Sequence, residues 1–375
     1  MDFSPTEAQA DLGALARRIL TDQVSQERLR KIEDGPDRFD PDLWAALAEA
    51  GVLSAALPES VGGSGFGVLE QCTVLVEIGR TVAPVPYLAS IALAGSALAR
   101  FGDPAQLDRW VTPAAAGRLV LTAALEVAAG GQRPRAEVGS GGGWVLRGSA
   151  VAVPAGPIAD LFLVPADTPA GRAVFLVEPG DAGVRVARQR LVDLDSAGQL
   201  ELVDVALPAD RLLGGVAGSG VVDVAGWLAA RATLGLCALQ LGVAERALQL
   251  TAEYARTRVQ FGRPIGGFQA VSQRLADAHI DVEAIRLTLW QAAWLLSTGQ
   301  SADAELATAK FWAADGGHRV AHTAVHVHGG VGIDTDHALH RYFIAAKRHE
   351  FALGGATEQL LRLGTLLAAA PTPDA

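Results

Sequence analysis

Y-A-R-T-R-V-Q-F-G-R-P-I-G-G-F-Q, residues Tyr254 to Gln269, is the stretch on which the reading of this chain turns. Ahead of it, Trp227 to Arg256 is rich in Ala, Leu, Gln and Arg and reads as one long helix. Phe261-Gly262, Pro264 and Gly266-Gly267 end that helix and turn the chain, with Arg258 just before the turn. Helical pattern resumes from Phe268 to Thr298 and again from Ser301 to His328. The last of these runs into a second glycine-rich stretch, His326 to Thr335, H-V-H-G-G-V-G-I-D-T. Taken singly, each residue has a plain reading. Arg258 serves as a cation near a helix C-terminus, Gln269 as a surface amide, and Gly329-Gly330 as a helix stop.

Bulk properties narrow the function classes. A chain of 375 residues accommodates two or three domains, or one large core with an inserted layer. With 50% hydrophobic and 19% charged residues it is globular. A net charge of −10 and the lack of any basic run argue against nucleic acid. The start, Met1-Asp2-Phe3-Ser4-Pro5, has none of the basic and then apolar character of a signal peptide, and the expected location is cytoplasmic. Trp227 to Ala244 is apolar but carries Arg231, which suits a buried helix better than a membrane span. Two cysteines, Cys72 and Cys237, supply neither a disulfide framework nor a zinc site. His326 and His328 lack an accompanying acid or thiol, so no metal site is expected.

Three blocks follow along the chain, giving an α+β fold. Residues 1–118 read as an all-helical domain. Ser4 is expected to cap the first helix, with Pro5 in its first turn and Glu7 completing a capping box. Asp40 caps a second helix that starts at Pro41, and helices cover Val68 to Arg80 and Pro86 to Phe101. Pro58 to Gly67 is too glycine-rich for helix. Residues 119–222 form a central antiparallel β-domain, a barrel or sandwich, with strands near Leu119–Thr122, Trp144–Leu146, Leu161–Val164 and Ala173–Val177. Gly214 to Gly220 reads as a loop leading back to helix. Residues 223–375 form a C-terminal four-helix bundle whose tail, Pro371 to Ala375, is frayed.

The two glycine-rich stretches, with Leu275-Ala276-Asp277 and His340-Arg341-Tyr342 in register, resemble the C-terminal signature of the acyl-CoA dehydrogenase family. The order helices, strands, helical bundle is also that family's, so the resemblance covers the whole chain. It implies FAD. Arg258 would reach the pyrophosphate of a flavin held mainly by a neighbouring subunit, and a doubly charged group calls for a guanidinium there. Phe261 belongs to the same motif. Gln269 would support the adenosine half, and Gly329 and Gly330 would let the backbone approach it closely. His326 stands where the family often has Gln.

Other family positions depart from the pattern. The base is usually a Glu in a tyrosine–glutamate–glycine–threonine stretch; Leu353 or Gly354 occupies that position here. The alternative base position falls at Ala232. Leu125-Glu126-Val127 with Ala128-Ala129-Gly130-Gly131 replaces a Thr-Glu-Pro and its Ser-containing turn, and Val151-Ala152-Val153 replaces a Trp-Ile-Thr that packs on the flavin ring. No catalytic residue is therefore assigned. The chain resembles the non-catalytic subunit of actinobacterial heterotetrameric enzymes that dehydrogenate steroid side-chain CoA thioesters, such as those of cholesterol. The resemblance implies a catalytic partner in a two-plus-two heterotetramer, with acyl-CoA mainly in that partner and an electron-transferring flavoprotein as acceptor. Two alternatives stand beside it: a self-sufficient homotetramer with its base displaced to Glu350 or Glu358, and a flavin-free scaffold.

Overall fold

The computed structural model describes residues 5–139, 141–214 and 223–369. They cluster into two compact units: the described residues of 1–26, 68–83 and 233–375 form the first, and those of 27–67 and 84–232 the second; Gly215 to Gly220 and Pro371 to Ala375, read as a loop and a frayed tail, lie outside the described residues.

The first unit is helical. Helix α1 (Glu7–Gln23) is capped by Thr6, whose hydroxyl accepts from the Gln9 amide while the Gln9 side chain accepts from Thr6 N–H. The capping box thus sits two residues later than expected from Ser4, which lies outside the described residues, and Pro5 precedes the helix. Thr6 wins because Gln9 can return its bond. Leu12, Ala16 and Leu20 form the buried stripe of α1, which packs against α4 (Val68–Thr81). Helix α8 (Val224–Thr257) begins in the second unit and continues in the first, with 61% of its most apolar window buried.

Backbones of α4 and α8 touch. A Cβ on Gly79 would lie 2.1 Å from the Leu239 carbonyl oxygen, and one on Gly242 would lie 2.0 Å from that of Val76. Only glycine permits this crossing.

Helices α9 (Gln269–Ser297) and α10 (Asp303–His328) pack antiparallel, and α10 also receives α11 (Leu339–Phe351) and α12 (Ala356–Ala369). Among the described residues of this block the helices are α8 to α12, and the chain breaks between α11 and α12, where Leu353 has φ +55° and Gly354 φ +96°. Lys310, fully buried on α10, holds that break. Its Nζ donates to the carbonyls of His349 (3.0 Å), Glu350 (3.1 Å) and Gly354 (2.9 Å). A buried ammonium needs such acceptors, and the end of α11 needs donors.

The second unit holds α2 (Gln26–Glu33), α3 (Pro41–Glu49), α5 (Ser96–Phe101), the short α6 (Pro104–Gln106) and α7 (Thr112–Ala115), and a sheet. Asp40 caps α3 as expected, accepting from Leu43 N–H, and Pro41 opens the helix. The helix expected over Pro86–Phe101 is π-helical from Leu88 to Gly95 before α5, and the Ser96 hydroxyl donates five residues back to Ile91.

The strands are β1 (Leu121–Ala123), β2 (Arg135–Val138), β3 (Trp144–Pro154), β4 (Leu161–Thr168), β5 (Gly171–Val177), β6 (Val184–Arg190), β7 (Ser196–Leu207) and β8 (Leu212–Leu213). They form one sheet ordered β6-β7-β3-β2-β4-β5-β8, with β1 paired to β4. Pairing is mostly antiparallel; β1 and β2 each run parallel to β4. Phe162, Val164, Phe175, Leu146, Leu200 and Val205 fill its core.

Two stability outcomes follow from these contacts. Lys310→Met removes the common donor of three carbonyls; at about 1–3 kcal/mol per unsatisfied buried group, urea unfolding should show a loss of ~3 kcal/mol. Gly242→Ala should cost about 1–3 kcal/mol or prevent folding, because relief of the overlap moves one backbone off another. Gly364→Ala, on α12 with no atom near the new Cβ, is the control and should leave the midpoint unchanged or raise it.

Candidate functional site

All six residues singled out as cofactor-binding lie at one end of the first unit, where α8 and α10 finish and α9 begins. Tyr254, one turn before the end of α8, stacks on His328 at the end of α10 with ring centroids 4.3 Å apart and planes 20° apart. His328 is buried, with Nδ1 2.8 Å from the Ala324 carbonyl and its ring 5.2 Å from His337. Burial holds its pKa below the ordinary imidazole value; the Ala324 carbonyl opposes that shift and the neighbouring His337 adds to it. A neutral ring suits an aromatic stack that ties two helix ends together.

Between α8 and α9 the chain makes a hairpin, β9 (Val259–Gln260) with β10 (Arg263–Pro264). Its two tip residues, Phe261 (φ +52°) and Gly262 (φ +79°), both have positive φ, the signature of a type I′ turn. Phenylalanine in the left-handed region costs roughly 1–2 kcal/mol. The ring nevertheless stands 94% exposed, touching Phe268 only edge-on at 6.2 Å. Arg263 lies 4.2 Å over the Phe268 ring.

The polar groups around this hairpin face outward. Backbone bonds fix Arg258 in place, its N–H to Tyr254 O and its carbonyl from Ile265 N–H, both 2.8 Å. Its guanidinium is exposed and, among the described residues, makes no hydrogen bond or ion pair, and the same holds for the side chains of Gln269 and His326. Helix α9 starts at Gln269 with no side-chain cap and no acid in its first turn; Val271 and Ser272 N–H already donate to the Phe268 carbonyl, which leaves the Gln269 and Ala270 N–H groups and the positive dipole end open among the described residues. Gly329 has φ +67° and ψ −147°, a conformation for glycine alone. Gly330 is different: nothing in the chain lies within 4 Å of where its Cβ would stand, so the chain's own packing does not require glycine there. Cations, free amide donors and an apolar ring with no complement in the chain make a surface suited to an external anion with a flat group beside it.

None of these residues is a carboxylate, and the other positions at which the family resemblance would place a base, with the nearby acids, are occupied or held as follows. Leu353 and Gly354 form the turn clamped by Lys310, and Ala232 is buried in α8. Glu350 is held by Lys347 at 2.6 Å and by His318 at 3.1 Å. Glu358 accepts from Gly355 N–H at 2.6 Å, and Glu245 is bound by Arg80 and Arg286.

In the second unit the two altered segments do meet. Val151 N–H donates to the Glu126 carbonyl at 2.9 Å. Ala152, with φ +49°, sits in an irregularity of β3 between Ala150 and Val153, its N–H bonded to Gln189 Oε1 at 2.6 Å. Ala128 to Gly131 closes through Gly131 N–H to Ala128 O and carries no hydroxyl. Sequence reasoning missed Arg263, the open start of α9 and Lys310; a single lysine inside the apolar run Leu306–Trp312 was the available signal for the last. Among the described residues no group of three or more His, Cys, Asp or Glu could hold a metal ion.

Comparison with known proteins identifies the family. The model "Acyl-CoA dehydrogenase, N-terminal domain" matches residues 6–118, and "Acyl-CoA dehydrogenase, C-terminal domain" matches residues 222–365. The chain is 53% identical to acyl-CoA dehydrogenase FadE27 of Mycobacterium tuberculosis, over 99% of this chain and 100% of that one. A chain in the crystal structure of the ChsE4–ChsE5 complex from the same organism superposes with a TM-score of 0.95 at 54% identity, covering 99% and 100% of the two chains. A chain of the Tcur3481–Tcur3483 steroid ACAD, solved as a variant, gives 0.89 at 40% identity over 96% and 98%. With both terminal domains matched and a relative above half identity along its full length, the chain belongs to the acyl-CoA dehydrogenase family of oxidoreductases.

Proposed function

We propose that this chain is the non-catalytic subunit of a hetero-oligomeric, FAD-dependent acyl-CoA dehydrogenase, completing the ADP side of a flavin held by a catalytic partner. One observation carries the reading: the polar groups of Arg258, Gln269 and His326 point outward and, among the described residues, are unpaired, while Leu353, Gly354 and Ala232 stand where the family resemblance would put a base. Bound FAD supplies the hydride acceptor for the substrate's β-hydrogen. This chain's own groups bind and orient. Arg258 neutralises a pyrophosphate beside the open start of α9, Gln269 and His326 meet the adenosine half, and Gly329–Gly330 gives the close backbone approach. Phe261 covers the site from water. A displaced base at Glu350 or Glu358 would first have to give up the bonds that hold it.

The partner supplies the base, the flavin-ring contacts and the thioester pocket. Likeness to chains of the ChsE4–ChsE5 complex and of a steroid ACAD supports a steroid side-chain CoA thioester, such as that of cholesterol, as substrate. Two copies of each chain, an electron-transferring flavoprotein as acceptor and a cytoplasmic setting complete the proposal.

The chain purified alone should be colourless and inactive, and co-expression with its catalytic partner should give a yellow, active complex. Arg258→Ala in that complex should weaken FAD retention by about tenfold or more, as expected for a charge-assisted bond of about 1.5–3 kcal/mol. Stoichiometric flavin with turnover in the lone chain would overturn the proposal. Unchanged flavin content in Arg258→Ala would assign the chain a scaffold role without cofactor contact.

A further inference from the structure

Two arginines share one face of the hairpin between α8 and α9. In its ladder Gln260 stands opposite Arg263 and Val259 opposite Pro264, and Ile265 N–H closes the next rung on the Arg258 carbonyl at 2.8 Å. Residues opposite each other across antiparallel strands lie on the same face, as do alternate residues along one strand. Arg258, Gln260 and Arg263 therefore share a face, and Val259 and Pro264 take the other. Arg258 and Arg263 are diagonal neighbours on it, a relation that sets residues roughly 7–8 Å apart and within reach of long side chains. The Arg263 guanidinium already has a seat: its carbon stands 4.2 Å over the Phe268 ring, which in turn meets Phe261 edge-on at 6.2 Å. Phe268 directly precedes α9, whose Gln269 and Ala270 N–H groups are open among the described residues. Both arginines are exposed, and among the described residues neither guanidinium makes a hydrogen bond or an ion pair. The chain has a net charge of −10, so this local pair of unmatched cations runs against its overall balance. Two like charges side by side repel, and an anion between them removes that cost.

We propose, resting on the subunit role above, that Arg263 is a second cofactor-binding cation, taking one phosphate of the FAD pyrophosphate while Arg258 takes the other. A diphosphate presents two anionic centres joined by one bridging oxygen, and two guanidiniums on one short hairpin face can each fork one of them. A single carboxylate satisfies one fork and leaves the other cation unmatched. The hairpin thereby becomes a selector for a diphosphate. Its seat on Phe268 limits the conformations of Arg263 before the ligand arrives, so less ordering remains to be done on binding. Packing on that ring also needs no anion, so a role confined to packing is separable from a role in binding.

The test is FAD affinity and flavin content in the complex with the catalytic subunit, measured at low and high salt. Arg263→Met keeps an unbranched stem over Phe268 and removes the charge, whereas Arg263→Lys keeps the charge. The Met variant should weaken FAD about tenfold and flatten the salt dependence, and the Lys variant should recover most of both. Adenosine diphosphate should compete with FAD better than adenosine monophosphate does, and Arg263→Met should narrow that gap. If Arg263→Met matches wild type while Arg258→Ala loses flavin, Arg263 is not a ligand and the subunit role stands. Flavin unchanged in both variants removes the subunit role, and this inference with it. Poor assembly of Arg263→Met, with normal FAD affinity in the complex that still forms, assigns the guanidinium to a carboxylate of the partner and equally overturns the proposal.

Discussion

A buried ammonium must be surrounded by acceptors, and in the first unit that requirement is met by folding the chain around Lys310. The three carbonyls it collects belong to the end of α11 and to the turn before α12. One cation therefore ends one helix and positions the next. It also holds Leu353 in a left-handed conformation that a branched apolar residue would otherwise avoid. Nothing at that turn can ionise, and its polar backbone is already committed inward. The turn between α11 and α12 is a structural joint.

The opposite condition holds at the hairpin. There the chain places a guanidinium, an amide, an imidazole and a partly open helix start on one surface and, among the described residues, pairs none of the side chains. In a chain with more acidic than basic residues, such a collection is not explained by overall charge. It has a local cause, and the Tyr254–His328 stack maintains it by binding the ends of α8 and α10 together. The turn commits its polar groups inward, and the hairpin leaves its own outward.

Much of this was legible from residue patterns. Long periodic runs gave α8, α9 and α10 within a few residues, and Asp40-Pro41 marked the start of α3 because both the cap and the first-turn proline are local devices. Turns at Phe261–Gly262 and Gly329 leave a local mark in glycine, whereas a cofactor role for Arg258, Phe261 and Gly329 is implied only by resemblance to the family's signature. The weaker signals failed for physical reasons. Strands β2, β6 and β7 expose Arg, Glu and Gln on one face, so apolar runs do not reveal them. The first cap was misplaced because Ser4 and Thr6 are equivalent until Gln9 chooses between them. Lys310 and the Gly79–Gly242 crossing depend on residues distant in sequence, which no local pattern records.

The two-residue turn at Phe261–Gly262 leaves the aromatic ring no loop in which to move. Most exposed recognition residues sit on flexible segments, and binding must then freeze them at an entropic cost of about 0.5–1.5 kcal/mol for each side chain ordered. Here the backbone is already ordered by the turn, at a cost that appears as left-handed strain in the unbound chain, and only the rotamer of the 94% exposed ring is left to fix. A surface that covers Phe261 therefore meets a tip whose backbone is set in advance, so docking there proceeds with little adjustment of this chain's backbone.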